Sequence, residues 1–226
     1  VSWEGKITII AGSTPIIHSR KQQYAAMGER FLFYNIIQPD RREASRKAMG
    51  NQESGKMLTM RDDLMKLTTE YHTQFIEDIP DVLPKIDNEL KEDLLSLAEL
   101  ATRARSDVER NYRSPQREII EIHPPEMPTR FAGQLQTLSR SLMLINLKES
   151  GEATILTEDK VTLQKFALDS INQSRRVALQ ELAKHDMITT AGLATKMGLP
   201  TISVRMRLED LVALEIAVRH KCTGNQ

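Results

Sequence analysis

The chain has 226 residues in which 31 Lys and Arg balance 31 Asp and Glu, with 40% hydrophobic and 4% aromatic residues and one cysteine. That length supports one or two domains with cores of their own, and zero net charge excludes a uniformly basic nucleic-acid coat or an acidic disordered tail. The lone Cys222 excludes an intrachain disulfide framework and a multi-cysteine zinc site, and it suits a reducing, cytoplasmic setting.

Apolar runs such as Leu142-Met143-Leu144-Ile145 are far shorter than the ~20 residues of a membrane helix, and no signal segment opens the sequence, so no membrane partner is expected. The sequence starts at Val1 and soon enters Ile7-Thr8-Ile9-Ile10-Ala11, which suggests a fragment of a longer protein. Residues 6–11, between Gly5 and Gly12, predict a short buried strand ending in the loop Gly12-Ser13-Thr14-Pro15. Helical character follows over residues 16–27, broken by Gly28, and residues 31–37 predict a second strand closed by Pro39. Strand, loop, helix, strand is the repeating unit of an α/β layer, so residues 1–38 are expected to be the end of an α/β core. Two strands alone do not make a stable sheet.

From residue 40 to about 171 apolar residues recur with the helical period of about 3.6. Met57, Met60, Leu64, Leu67, Tyr71 and Phe75 share one face, and Leu90, Leu94, Leu97, Ala101, Ala104 and Val108 another, so both stretches are expected to bury those faces. Pro80 and Pro84 separate these two helices, and Pro115 with the cluster Pro124, Pro125 and Pro128 separates the second from a third. The third is expected to begin at the N-cap Thr129 and to carry Phe131, Leu135, Leu138, Leu142 and Ile145 as far as Gly151. Another opens at Thr157, with Glu158 and Asp159 suiting the positive end of the helix dipole, and is expected to bury Val161, Phe166, Ala167 and Ile171.

The last fifty or so residues change rhythm. A helix over 175–185, a short helix over 191–197, the turn Gly198-Leu199-Pro200, a helix over 201–214 and the β-type run Ile216-Ala217-Val218-Arg219 predict a winged helix-turn-helix. The segment Leu193-Ala194-Thr195-Lys196-Met197-Gly198-Leu199-Pro200-Thr201-Ile202-Ser203-Val204-Arg205 resembles the helix-turn-helix of bacterial winged-helix regulators. If Val204, Leu208 and Leu211 form the inner face, then Thr201, Ser203, Arg205, Met206 and Arg207 turn partly or fully outward toward a major groove. Arg205 and Arg207 are the expected base or phosphate contacts, with Lys196, Arg219 and Lys221 adding phosphate contacts that position rather than specify. Residues 175–226 hold eight Lys and Arg against five Asp and Glu, a net of +3, so the remainder carries −3.

Gly50-Asn51-Gln52-Glu53-Ser54-Gly55-Lys56 fits the spacing of a phosphate-binding loop, but Met57 stands where a Ser or Thr hydroxyl holds magnesium and the residues before it are polar and helical. A solvated loop between helices is expected there. Histidines 18, 72, 123, 185 and 220 are scattered, so no metal site is expected, and no G-x-S-x-G elbow occurs. Residues 77–99 carry eight carboxylates against Lys85 and Lys91 and are expected to form a wet helix face.

The opening order, with Gly12-Ser13-Thr14-Pro15 after one apolar run and Gly28-Glu29-Arg30-Phe31 leading into the next, resembles the second half of a AAA+ ATPase core, most closely its minichromosome-maintenance-like helicase branch. Met127-Pro128-Thr129-Arg130-Phe131 through Leu138, followed by Leu156-Thr157-Glu158-Asp159, is similar to the lid of that branch. The resemblance implies that Thr14 is a sensor-1-like residue, Arg30 a finger reaching a neighbouring subunit's nucleotide and Arg130 a sensor-2-like residue, with ATP and Mg as cofactors of the parent protein and a homo-oligomer as its form. This sequence departs from the family in having Thr14 where Asn is usual, a long helical stretch over 40–117, and neither a Walker A nor a Walker B motif. The sequence reading is therefore a mainly α chain in three parts: 1–38 the end of an α/β ATPase-like core, 39–174 a helical region including a lid, and 175–226 a winged-helix DNA-binding domain. Its expected role is as the double-stranded-DNA-binding portion of a DNA-dependent ATPase or helicase, inactive as an enzyme by itself. A winged-helix transcriptional regulator or protein-interaction module is the alternative.

Overall fold

A computed structural model describes residues 9–14, 31–36, 40–77 and 79–220. It is mainly α-helical with one small two-stranded antiparallel hairpin. The chain divides into two compact units, and the division cuts across the order of the sequence. One unit is built from Leu32–Thr102 and Met127–Ile171; the other is built from Arg103–Glu126 with the described residues of Val1–Phe31 and Asn172–Gln226.

In the first unit, α1 (Arg41–Glu53) starts where the Asp40 carboxylate accepts the N–H groups of Arg42 and Glu43 at 2.8 and 3.1 Å. It ends at Ser54 and Gly55, whose φ of +67° is a left-handed turn conformation, and α2 (Lys56–Glu77) follows at once. The apolar face predicted over 57–75 does form, since α2 is helical, but it is not a core. Neither α1 nor α2 buries a residue, and Met57, Met60, Leu64 and Leu67 are all more than half exposed.

The core of this unit lies further on. Helix α3 (Asn88–Arg105) begins where Asp87 accepts the Leu90 N–H at 2.7 Å. Its Leu90, Leu94, Ala98 and Ala101 pack with Phe131, Leu135 and Met143 of α4 (Thr129–Ser150) and with Leu163 and Ala167 of α5 (Thr157–Asp169). Phe131, Leu135 and Leu163 are each 1% exposed or less, so each contributes about 1.5–3 kcal/mol of apolar burial. Three details differ from the sequence reading. Thr129 is the first helical residue of α4 rather than its cap; Pro128 precedes it, and a proline offers no side-chain acceptor. Val161 is exposed, because the helical phase set by Leu163 and Ala167 turns it to solvent. Asp159 is more than a favourable charge: it is buried, and its Oδ2 accepts the Leu156 N–H at 2.9 Å and the Asn146 amide at 2.6 Å, tying α5 to α4.

The second unit holds the hairpin and three helices. Strand β1 (Val108–Arg110) pairs antiparallel with β2 (Ile119–Ile122), with Val108 opposite Ile122, Glu109 opposite Glu121 and a bulge before Arg110. Helices α6 (Gln173–Leu182), α7 (Thr190–Met197) and α8 (Thr201–Ala213) pack pairwise. Leu193, Ala194 and Val204 form their buried centre, with Ile188, Met197, Leu199 and Leu208 packed against it.

Both predicted opening strands fail among the described residues. Residues 9–14 and 31–36 have no strand structure, and Ile10 is 98% exposed. Hydrophobic β-branched runs become strands only with partner strands to complete the ladder, and two such runs supply too few. The helix expected over 16–27 lies outside the described residues. The terminal strand over 216–219 is also absent: Glu215 takes φ +58°, and the N–H groups of Ile216 and Ala217 both turn back to the Leu211 carbonyl at 2.9 and 3.2 Å. Those two donors close the end of α8 instead of entering a ladder.

Candidate nucleic-acid interface

The three-helix part of the second unit is shaped by its caps. Asn172 Oδ1 accepts the Ser174 N–H at 2.9 Å to start α6, and Thr189 Oγ1 accepts the Gly192 N–H at 3.1 Å to start α7. Gly198, at φ +62°, ends α7 in the left-handed conformation and sends the chain through Leu199 and Pro200 into α8. The phase of α8 puts Val204 and Leu211 at 0% exposure, with Leu208 half-buried beside them.

The predicted contact residues fall into three groups. Lys196, Thr201, Arg205 and Arg219 are exposed. Ser203 and Arg207 are half-buried, and Lys221 lies outside the described residues. Arg205 is already engaged on its own helix, its Nε 3.5 Å from Glu209 Oε1. Lys196 acts electrostatically on Glu181, whose pKa is held below the ordinary carboxylate value first by the Lys184 hydrogen bond of 2.6 Å. Of the ATPase-like residues, Thr14 is exposed, Arg130 is exposed in the first turn of α4, and Arg30 lies outside the described residues.

One residue that sequence reasoning missed organises this unit. The Arg110 side chain is 2% exposed and makes five hydrogen bonds. Its Nε and Nη2 reach Asp210 Oδ1 at 3.0 and 2.6 Å, and Nη1 reaches Glu209 Oε2 at 3.1 Å. The same guanidinium donates to the carbonyl of Met206 through Nη2 and of Arg117 through Nη1, each at 2.8 Å. Burial disfavours its charge, but hydrogen bonds and attraction to Asp210, then to Glu209, outweigh that cost and raise the pKa. Arg175 on α6 meets Asp210 from the other side, Nε to Oδ2 at 3.3 Å, while its Nη1 donates to the carbonyls of Ala104 and Ser106. Met206, expected to turn partly or fully outward, is half-buried, its Sδ 3.8 Å from Arg117 Nη1 on the hairpin. The signal was present in the alternation Val108-Glu109-Arg110 and the β-branched run Ile119-Ile120 on either side of Ser114-Pro115, which the helical period of its surroundings masks.

The hairpin's open end gathers Asp107, Glu109 and His123, whose ligating atoms lie within 4.8 Å of one another. His123, scattered from the other histidines in sequence, reaches this group because its N–H donates to the Asp107 carbonyl at 3.0 Å across the strands. Its Nε2 is 3.5 Å from Glu109 Oε1, and Asp107 Oδ1 accepts the Val108 N–H at 3.1 Å. This donor set is explained by a cross-strand contact between imidazole and carboxylate and a backbone cap, and it falls short of the buried, oriented ligands of a zinc centre.

Residues 50–56 do not fit a nucleotide. Gly50 to Glu53 form the last turn of α1, Gly55 makes the turn and Lys56 opens α2, so no strand delivers the segment and its helical N–H groups bond within the helix. No described helix is long and apolar enough to cross a membrane. Fold and site together define a coarse class: a mainly α-helical chain in which a small hairpin is locked onto one of three packed helices. Comparison with protein families, with characterised proteins and with solved structures finds no match to this chain.

Proposed function

We propose that this chain is the duplex-DNA-binding C-terminal part of a AAA+-type DNA-dependent ATPase, with α7, the Gly198 turn and α8 acting as a helix-turn-helix. The observation that carries the DNA reading is the Leu193, Ala194 and Val204 centre with its left-handed Gly198 turn, which leaves Lys196, Thr201 and Arg205 exposed on the two helices it joins. In such a unit the N-terminal residues of the second helix reach base edges and the first helix crosses the backbone. Thr201 and Arg205 take the first role, Lys196 the second, and Ser203, Arg207 and Arg219 flank them. Support for the ATPase parent comes from sequence order alone: Thr14 and Arg30, then Arg130, then the terminal helix pair. ATP and magnesium belong to that parent.

Replacing Arg205 and Arg207 together by alanine tests the reading. Anisotropy titration of a short labelled duplex is expected to show binding weakened about 10- to 100-fold at matched salt, as loss of one or two arginine contacts requires. Binding equal to the parent's would remove α8 from the interface.

A second reading has its own observation. The apolar face of α2, with Met57, Met60, Leu64 and Leu67 exposed, suits a regulator whose long helices pair across a homodimer while α8 reads an operator.

A further inference from the structure

We infer that the hairpin β1–β2 does the work of the wing predicted at the C-terminus, presenting its tip, residues 111–117, to the phosphate backbone of duplex DNA beside α8. The inference rests on the proposed DNA-binding role of α8 and adds a contact surface to it. Three independent features converge on this tip.

The first is composition. Asn111-Tyr112-Arg113-Ser114-Pro115-Gln116-Arg117 carries two arginines, with Glu118 the one carboxylate beside them. Arg113 and Arg117 are both exposed, and neither has an ion-pair partner among the described residues. Tyr112 is 72% exposed, with the Arg117 guanidinium 6.0 Å from its ring centroid, so a hydroxyl and two guanidinium groups project from one short turn. Exposed arginines with an adjacent tyrosine hydroxyl form the donor set that phosphate oxygens accept.

The second is rigidity. The chain's own bonds shape the loop: Asn111 Oδ1 accepts the Arg113 N–H at 3.1 Å, and the Arg117 N–H donates to the Ser114 carbonyl at 3.1 Å. Arg117 itself takes φ +51°, a conformation that costs an arginine about 1 kcal/mol and persists only where the surroundings impose it. Here the constraint is visible, because Arg110 Nη1 holds the Arg117 carbonyl while Nη2 of the same side chain holds the Met206 carbonyl on α8. One buried guanidinium therefore fixes the tip relative to the helix.

The third is the distribution of charge along the hairpin. Asp107, Glu109 and Glu121 sit toward its open end, whereas the closed end carries Arg113 and Arg117 against the single carboxylate of Glu118. A hairpin so polarised enters the field of a phosphate backbone tip first. Glu209 and Asp210, the carboxylates of α8 closest to that approach, are neutralised by Arg110 and Arg175.

The test is a salt series of anisotropy titrations with a labelled duplex of about 20 base pairs, using the full chain and the double variant Arg113→Gln, Arg117→Gln. Both positions are exposed and the Arg117 carbonyl remains to accept from Arg110, so matching circular dichroism is expected. If the tip contacts phosphate, affinity falls about 10-fold near 0.1 M salt and the log–log salt slope becomes shallower by roughly 2, one for each lost phosphate contact. The Arg113→Lys, Arg117→Lys variant keeps the charge and is expected to keep the parent slope. A glutamine variant with the parent's affinity and slope, in a chain whose binding is still weakened by Arg205→Ala, overturns the wing inference and leaves the α8 reading standing. A parent chain that binds no duplex overturns both.

Discussion

Removing the Arg110 side chain would leave Asp210, Glu209 and two carbonyls without a donor they now share. Breaking one side of a buried ion pair costs about 3–5 kcal/mol, far above the ~1 kcal/mol of a surface pair such as Lys47–Glu43. Arg110→Met is therefore expected to lower the opening free energy of the hairpin and α8 by about 3 kcal/mol, read from amide hydrogen exchange in the two elements. Arg110→Lys recovers little of this loss, because the three donors of an ammonium on one atom cannot replace five N–H groups spread around the edge of a planar guanidinium. A loss below about 1 kcal/mol would show that the guanidinium does not hold these elements together. This residue was also the hardest to read from sequence: its partners are about a hundred positions away, and no local pattern announces a buried charge.

At the scale of elements, the turn between α7 and α8 decides how the two helices meet. A Cβ added at Gly198 would meet no atom within 4 Å, so a substitution there causes no clash and suffers only from the positive φ. Gly198→Ala is expected to cost about 1 kcal/mol and Gly198→Asn less, measured by thermal or urea unfolding. Equal stability for both would mean the turn relaxes to another conformation. This turn was legible from sequence because glycine before Leu-Pro, between two amphipathic stretches, is a local signal. Helices α3 to α5 were legible for the same reason, since their 3.6 period is long enough to set a phase. The strands were not. Ladder formation depends on partners elsewhere in the chain, so residues 9–11, 31–36 and 216–219 showed β composition without the structure, whereas Val108 to Arg110 found a partner within fifteen residues.

For the whole molecule, local pattern again proved ambiguous. An apolar stripe on α2 reads as core, yet the stripe is exposed, and the same periodicity describes a helix that packs within its chain or against another copy. Under the regulator reading, sedimentation velocity at micromolar concentration is expected to give a dimer unaffected by nucleotide, and Leu64→Glu with Leu67→Glu returns it to monomer. A chain that stays monomeric throughout removes that reading. The charge arithmetic fits either case: a segment of net +3 attached to a body of net −3 favours phosphate contact at the basic end.

The interruption of one unit by the other sets an order of events during synthesis. Arg110 leaves the ribosome well before its carboxylate partner, Asp210, which follows 100 residues later. At about 5–20 residues per second that interval is roughly 5–20 s. During it the nascent hairpin carries a guanidinium with no carboxylates from α8 to receive it, while the intervening helices α4 and α5 emerge and can settle on α3. The hairpin can thus close its own ladder early, but its bonds to α8 must wait for Met206 to Asp210, so truncation before those residues leaves the tip without that anchor.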